Sequence, residues 1–194
     1  MKVVYPVIGR CINCHLCEVA CIISHSKSRE PISAYFFEGL RFNWEQSKEY
    51  CDPAEAKQAQ ADIPLSRCKV WEDGVTFTST MCRHCEIADC VLACKNGALY
   101  RDESGRVLLD EEKCVGCWMC VMACRFGAIT RNVERQNVPG VKYNGINHHC
   151  DLCGDMKIPA CVAVCPTRAL VYEERDYPDE MSSEQTITLP AEIA

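Results

Sequence analysis

The sequence of 194 residues has no long apolar run, no excess of basic residues and no export signal. No segment approaches the roughly 18 uninterrupted apolar residues of a transmembrane helix, and residues 1–6 lack the basic and apolar regions of a signal peptide. The formal charge of −6 resides in residues 173–194, so residues 1–172 are neutral overall and carry no basic stripe. We therefore expect a soluble, cytoplasmic protein with no direct membrane insertion and no nucleic acid partner.

Catalytic signatures are missing as well. The sequence contains no nucleophile–base pair, phosphate-binding loop or dinucleotide-binding fingerprint. Substrate chemistry is therefore not expected of this chain alone, and any reaction that it serves should take place on another subunit.

Aliphatic side chains are scarce, whereas cysteine is abundant. Hydrophobic residues make up 48% of the chain, but this figure includes 18 cysteines. Without them the fraction falls to about 39%, which is low for a domain stabilised by aliphatic packing. Disulfide scaffolds with this cysteine content usually have fewer than about 100 residues and an export signal, so disulfides are not expected. Another kind of cysteine chemistry must supply the stability.

Sixteen of the 18 cysteines form four quartets, each ending in two cysteines with three residues between them. The first and third quartets have the tight spacing C-x2-C-x2-C-x3-C, whereas the middle gap widens to four residues in the second quartet and to seven in the fourth. In chain order the quartets are Cys11, Cys14, Cys17 and Cys21; Cys82, Cys85, Cys90 and Cys94; Cys114, Cys117, Cys120 and Cys124; and Cys150, Cys153, Cys161 and Cys165. This internal repeat indicates four homologous units rather than one irregular domain.

The repeat continues beyond the cysteines. Segments 95–99, 125–129 and 166–170 follow the last cysteine of their quartets, and each ends with alanine and a branched aliphatic residue. Segments 75–78 and 106–110 have strand-like composition before the second and third quartets. Each unit is predicted to run from a strand through a cysteine loop and a short helix to a second strand.

The cysteine spacing favours iron–sulfur clusters over zinc. Three cysteines at intervals of two residues can surround a cubane cluster, and in the bacterial ferredoxin pattern the fourth cysteine ligates the other cluster of a pair. A zinc ion needs four tetrahedral ligands, usually from two separate C-x2-C pairs, so zinc remains an alternative. Where a metal site replaces an aliphatic core, its binding free energy is folding free energy, and the metal-free chain should be largely unfolded.

The quartets, with the local sequences of segments 82–85, 150–153 and 159–167, resemble the four-cluster iron–sulfur subunits of multi-subunit oxidoreductases. That family includes the electron-transfer subunits of dimethyl sulfoxide reductase and formate dehydrogenase, the ferredoxin-like partner of carbon monoxide dehydrogenase, and the small subunits that accompany tungsten aldehyde oxidoreductase and benzoyl-CoA reductase. The resemblance implies an α+β fold of two pseudosymmetric modules of the bacterial dicluster ferredoxin type, whose short strands and helices surround four [4Fe-4S] clusters. Residues 1–21 with 145–172 would form the outer module and 75–144 the inner module, with 22–74 as an aromatic-rich insertion and 173–194 as an acidic tail.

The same resemblance implies how the cysteines share the clusters, because the family crosses its first quartet with its fourth and its second with its third. The implied ligand sets are Cys11, Cys14, Cys17 and Cys165; Cys150, Cys153, Cys161 and Cys21; Cys82, Cys85, Cys90 and Cys124; and Cys114, Cys117, Cys120 and Cys94. The sequence departs from the family in that proline follows Cys165 but none of the other three last cysteines. This departure alters the local loops and leaves the number of ligands unchanged.

The implied function is electron transfer. The chain would carry electrons one at a time through the four clusters. They would pass between a large catalytic subunit, of the tungsten/molybdenum or carbon monoxide dehydrogenase type, and a ferredoxin or another redox partner. A free soluble polyferredoxin and a zinc-binding interaction module are the alternatives. The insertion and the tail favour the subunit over the free carrier, because a small diffusing carrier gains nothing from them.

Other residues near the quartets are expected to be solvated or to pack over a cluster. Four of the five histidines lie in cysteine loops and are interpreted as solvated: His15, His84, His148 and His149. The alternatives are tuning of cluster potential and, for His84 or His149, ligation of a cluster. Trp118 and Met119 are expected to pack over a cluster and exclude water.

The insertion and the tail lie outside the repeat. The aromatic residues of the insertion are equally consistent with packing against the rest of this chain and with packing against a partner protein. Segment 52–62 has the composition of a solvent-facing helix. Cys51 and Cys68 are expected to be buried free thiols. The tail is expected to be a mobile terminus or an arm around a larger subunit.

Overall fold

The computed structural model describes residues 1–37, 66–74, 76–130, 149–154 and 156–174. All sixteen cysteines of the quartets, and Cys68, fall within these ranges. Most of the aromatic insertion, Cys51, the predicted helix at 52–62, His148 and the tail after residue 174 lie outside them.

The described residues form a small mixed fold of short helices and strands, which agrees with the predicted α+β class at this coarse level. In chain order the elements are β1 (Lys2–Pro6), α1 (Leu16–Ser24), α2 (Pro31–Phe37), β2 (Lys69–Asp73), β3 (Thr76–Thr80), α3 (Asp89–Leu92), β4 (Leu99–Arg101), β5 (Val107–Leu109), α4 (Met119–Ala123), α5 (Ala160–Val164) and β6 (Leu170–Glu174). In the part of the chain that these elements cover, no helix combines the length and apolarity needed to cross a bilayer.

The strands pair as three antiparallel sheets of two strands each. β1 pairs with β6, so Val4 near the start of the chain lies opposite Tyr172. β2 pairs with β3, and β4 pairs with β5. A two-stranded sheet is marginally stable by itself, so each pair depends on what packs against it.

The helices pack in an order that follows the quartets. α1, which carries Cys17 and Cys21, packs against α5, which carries Cys161. α3 packs against α4, so the helices of the second and third quartets are neighbours. The first quartet therefore meets the fourth, and the second meets the third.

A left-handed turn follows the last cysteine in three of the four units. The third residue after that cysteine has a positive φ angle, which is 63° at Gly97, 60° at Gly127 and 51° at Arg168. Glycine adopts this conformation freely, whereas it is sterically disfavoured for Arg168. The first unit differs because α1 continues past Cys21 to Ser24.

Four of the strands predicted next to the quartets are present. The strands expected before the second and third quartets are β3 and β5, and those expected after the second and fourth quartets are β4 and β6. After Gly127, residues 128–130 form no strand, and the residues that follow lie outside the described ranges. Ile129 is nevertheless buried there, because it packs into the same core as Leu99 and Val107.

Cysteine forms much of the interior, as the low aliphatic content predicts. Eight of the described cysteines are buried. One buried group places Val4 and Leu170 among cysteines of the first, second and fourth quartets. A second group places Leu99 and Val107 beside Cys114. The aliphatic core alone is therefore thin.

Leu99→Ala is expected to destabilise the protein, because Leu99 is 1% exposed and fills the second buried group. Truncation of a buried leucine to alanine costs about 2–5 kcal/mol. Leu92 is 72% exposed, so Leu92→Ala is the matched control and should change stability by less than about 0.5 kcal/mol. The measurement is the thermal midpoint of the far-ultraviolet circular dichroism signal, and equal shifts for the two variants would contradict the expectation.

Candidate metal centres

Each cysteine loop turns in the left-handed sense at the same place. The second residue after the first cysteine has a positive φ angle in all four quartets: 56° at Asn13, 48° at His84, 69° at Gly116 and 61° at Leu152. Three of these residues are not glycine, so the surrounding structure must hold the conformation. The turn keeps the first two cysteines of each quartet on one tight loop.

The short helices position the third and fourth cysteines. The third cysteine of every quartet is the second residue of its helix: Cys17 in α1, Cys90 in α3, Cys120 in α4 and Cys161 in α5. The fourth cysteine directly follows the helix in two quartets, at Cys124 and Cys165. Because α1 packs against α5 and α3 against α4, the fourth cysteines lie close to the neighbouring quartet.

Two cavities are each lined by four cysteines. One contains about 400 Å³, counting the space open to solvent, and its cysteines are Cys82, Cys85, Cys90 and Cys124. Another contains about 320 Å³ on the same basis, and its cysteines are Cys11, Cys14, Cys17 and Cys165. In both cavities three cysteines come from one quartet and the fourth comes from another.

Some of the remaining eight cysteines also lie near a cysteine of another quartet. Burial, together with the nearby Cys21, raises the pKa of Cys161. Burial raises the pKa of Cys120 to about 11, and Cys94 and Cys114 add to the rise. Cys21 and Cys94 are the last cysteines of their own quartets, so here too the fourth cysteine lies beside a different quartet.

Backbone N–H groups donate to several of the cysteine sulfurs. His84 and Gly116, at the left-handed positions, each donate to the Sγ atom of the first cysteine of their own quartet at 3.4 Å. Ala128 and Ala169 donate in the same way to the last cysteine, at 3.4 Å and 3.2 Å. Hydrogen bonds to a charged acceptor are stronger than those to a neutral one, so the loops suit thiolate sulfur bound to a metal.

Some of the buried thiols do not ionise readily by themselves. Burial raises the pKa of Cys82 to about 12 and that of Cys90 to about 11, and neighbouring cysteines add to both shifts. A bound metal reverses this effect by stabilising the thiolates directly. Among the described ranges, no three His, Cys, Asp or Glu side chains converge closely enough to hold a single metal ion. The donor set and the cavities fit a multinuclear metal–sulfur centre whose assembly releases protons.

Two histidines occupy buried positions, so their interpretation as solvated loop residues is wrong. His84 is 3% exposed and His149 is 4% exposed. His84 Nδ1 accepts a hydrogen bond from the N–H of Val107 at 2.9 Å, and His149 Nε2 donates to the carbonyl of Val107 at 2.8 Å. Burial lowers the pKa of His84 to about 4 and also lowers that of His149. By contrast His15 is exposed and contacts Glu18, as the solvated interpretation predicts.

An ion-pair network that was not predicted from the sequence lies beside the fourth quartet. Asp151, within the cysteine loop, pairs with Arg67 and accepts a hydrogen bond from His25 Nε2 at 3.0 Å. Burial alone would lower the pKa of His25, but hydrogen bonds to Asp151 and Cys21 outweigh burial and raise it to about 10. Burial also opposes ionisation of Asp151, yet His25 and Arg67 hold its pKa below the usual range. An aspartate between two cysteines of ligand spacing is the signal that could have indicated this network.

Cys68 is 2% exposed, which confirms its predicted burial. It lies in the same buried group as Cys17 of the first quartet. The hydrogen bond between the two side chains raises the pKa of Cys68 and lowers that of Cys17. Cys17 is thus the more acidic of the two thiols.

The residues expected to cover a centre differ in exposure. Trp118 is half-buried and has a left-handed φ of 64°. Met119 is 51% exposed, and its packing over a cluster stays a prediction. Of the described cysteines, Cys14 and Cys117 are the exposed ones, and each is the second cysteine of a tight quartet.

Quartets of cysteines on tight loops and short helices, shared between paired units, define an iron–sulfur protein of the ferredoxin type. Residues 74–175 match the family model described as a 4Fe-4S dicluster domain. The chain belongs to this family.

Curated relatives cover nearly the whole chain. An iron–sulfur protein of Rhodospirillum rubrum is 35% identical over 182 residues, which are 90% of this chain and 83% of the relative. The electron transport protein HydN of Escherichia coli strain K12 is 33% identical over 184 residues, which are 91% of this chain and 90% of the relative. The thiosulfate reductase electron transfer subunit PhsB of Salmonella typhi is 33% identical over 172 residues, which are 86% and 72% of the two chains.

Proposed function

We propose that this chain is an electron-transfer subunit that holds four [4Fe-4S] clusters and connects a catalytic oxidoreductase subunit to another redox partner. The observation that carries the proposal is the sharing of cysteines in the two cavities, each with three from one quartet and one from another. This sharing is the ligand pattern of paired cubane clusters in bacterial ferredoxins.

The proposed ligand sets are Cys11, Cys14, Cys17 and Cys165; Cys150, Cys153, Cys161 and Cys21; Cys82, Cys85, Cys90 and Cys124; and Cys114, Cys117, Cys120 and Cys94. The first two sets form an outer module from residues 1–21 and 145–172, and the last two form an inner module from residues 75–144. Pairing of β1 with β6 and of α1 with α5 supports the outer module, and pairing of β4 with β5 and of α3 with α4 supports the inner one.

When bound, each [4Fe-4S] cluster supplies a one-electron carrier whose potential depends on charge, hydrogen bonds and solvent exposure. The protein residues set these variables. Backbone N–H groups such as those of His84 and Ala169 donate to the ligand sulfurs. Buried aliphatic residues such as Leu170 exclude water around them.

The arrangement of buried and exposed cysteines supports a linear order of sites. Cys82 and Cys150 share one buried group, so the inner and outer modules approach one another there. Cys14 and Cys117 are exposed, and apolar side chains such as Ile12 and Met122 are exposed near them in sequence. We infer that electrons pass into and out of the chain near Cys14 and Cys117, across these apolar surfaces.

A large catalytic subunit is the proposed main partner, and its active site is of the tungsten/molybdenum or carbon monoxide dehydrogenase type. A ferredoxin or another electron carrier is the second partner. The relative PhsB is itself named as the electron transfer subunit of a thiosulfate reductase, which supports a role as a subunit.

Gel filtration of native extract tests this partnership: elution with a larger protein is expected, and elution at about 22 kDa would favour a free polyferredoxin.

The metal content of the purified protein tests the cluster assignment. Four [4Fe-4S] clusters require about 16 iron and about 16 labile sulfide atoms per chain. Anaerobic purification followed by iron, zinc and acid-labile sulfide analysis is the measurement, with the apoprotein as the blank. About four zinc atoms without sulfide would instead identify a zinc-binding module, and about eight iron atoms would reduce the number of clusters to two.

A further inference from the structure

Two buried side-chain nitrogen atoms among the described residues have no hydrogen-bond partner: Arg67 Nε and His84 Nε2. Both residues also donate their backbone N–H to a cysteine sulfur. The distance is 3.3 Å from Arg67 N to Cys21 Sγ and 3.4 Å from His84 N to Cys82 Sγ. Buried donors without an acceptor are rare in native proteins, so each of the two calls for an explanation.

The side chain of Arg67 is held in place by its other contacts. Its Nη1 pairs with Asp151, which lies inside the cysteine loop of the fourth quartet. The other carboxylate oxygen of Asp151 accepts hydrogen bonds from His25 Nε2 and from the N–H of Cys153, both at 3.0 Å. Arg67 therefore cannot turn its Nε–H to solvent without breaking this half-buried ion pair.

The hydrogen bonds of His84 define where its proton lies. Nδ1 accepts the N–H of Val107 at 2.9 Å, so Nδ1 carries no proton. A histidine ring with an unprotonated Nδ1 carries its proton on Nε2. The unpartnered atom is therefore an N–H donor, enclosed in the interior and in need of an acceptor.

We propose that Arg67 and His84 are positioning residues that donate these two N–H groups to the sulfur atoms of the adjacent clusters. The Arg67 donor serves the cluster of Cys21, Cys150, Cys153 and Cys161, and the His84 donor serves that of Cys82, Cys85, Cys90 and Cys124. This inference rests on the ligand sets of the proposed function. Donors to cluster sulfur stabilise the more negative, reduced form and so raise the reduction potential. The effect of Arg67 is the larger, because its donor carries a full charge.

Arg67→Lys and Arg67→Gln test the first donor. Lysine keeps the charge near Asp151 but has no Nε–H at that place, and glutamine removes the charge as well. Redox titration of the purified protein, followed by the electron paramagnetic resonance signals of the individual clusters, is expected to show one cluster shifted to lower potential in both variants. The shift should be greater for glutamine, and the other three clusters should remain unchanged.

Arg125→Lys is the matched control. Arg125 follows Cys124, but its Nε already donates to Asp89 at 3.3 Å and its side chain is exposed. Its replacement should leave all cluster potentials as they are. An Arg67→Lys protein with full iron content and unshifted potentials would overturn the proposal for Arg67, as would an equal effect of Arg125→Lys.

His84→Gln and His84→Leu test the second donor. Glutamine can accept the N–H of Val107 and donate at the same time, so it should retain the potential that leucine lowers. A different cluster from that affected by Arg67 should respond. If both His84 variants keep their iron and give the wild-type potential, the donor role of His84 is refuted.

A spectroscopic measurement distinguishes a failure of the Arg67 assignment from a failure of the proposed function. Besides the backbone N–H protons that lie on the ligand sulfurs, electron–nuclear double resonance after exchange into deuterium oxide should detect one exchangeable side-chain proton at each of two clusters, and Arg67→Lys should lose one of these two couplings. Persistence of both couplings in that variant overturns the Arg67 assignment. A wild-type protein with fewer than four clusters would instead contradict the proposed function, whatever the couplings are.

Discussion

Extraction of iron with a strong chelator is expected to unfold most of the described chain. The strands have three to five residues and pair only in twos, and the helices that carry the quartets have four to nine residues. Elements of this length are not stable by themselves in water. Eight buried cysteines occupy the space that aliphatic side chains fill in other domains. The free energy of metal binding should therefore supply most of the folding free energy.

The measurement is the far-ultraviolet circular dichroism signal, followed together with the visible absorbance of the clusters during anaerobic chelation. The two signals should fall together. The same chelator saturated with ferrous iron beforehand is the control and should leave both signals intact. A helix and strand signal that survives complete loss of iron would show that the polypeptide folds without its metal.

The turns and short strands of the fold could be predicted from the sequence because they repeat. Segments 95–99 and 166–170 occupy matched positions, and the strands that start at Leu99 and Leu170 follow from the alanine and aliphatic residues after the turns at Gly97 and Arg168. The same pattern recurs at Ile129, which has no strand partner among the described residues although it is buried. Whether such a segment pairs depends on the availability of another strand, and the local pattern does not contain that information.

The contacts around the candidate metal centres were harder to predict from the sequence. His84 lies between two cysteines in a short loop, and only the position of Val107 in β5 shows that this loop is covered. Asp151 and His25 are 126 positions apart, and Arg67 lies at the end of the long insertion. Composition and spacing detect ligands, because ligands cluster in sequence. Contacts between distant segments arise only when the helices pack.

Replacement of cysteines in pairs should show whether the ligand sets cross between quartets. The double variant Cys17→Ala/Cys165→Ala removes two ligands from one proposed cluster, so it should lose about four iron atoms. The double variant Cys161→Ala/Cys165→Ala removes one ligand from each of two proposed clusters, so up to about eight iron atoms should be lost. Sets confined to a single quartet predict the reverse order of iron loss.

Cys68→Ala is the control for this comparison, because Cys68 is buried like Cys17 and Cys161 and contacts Cys17 without belonging to any quartet. It should retain about 16 iron atoms. Iron analysis and spin counting of the reduced clusters give the result for each variant.

The cavity lined by Cys11, Cys14, Cys17 and Cys165 is the physical reason to expect crossing. Because β1 pairs with β6 and α1 packs against α5, the last cysteine of the fourth quartet lies beside the first three of the first quartet. Loss of more iron from Cys17→Ala/Cys165→Ala than from Cys161→Ala/Cys165→Ala would mean that this packing does not determine the ligands.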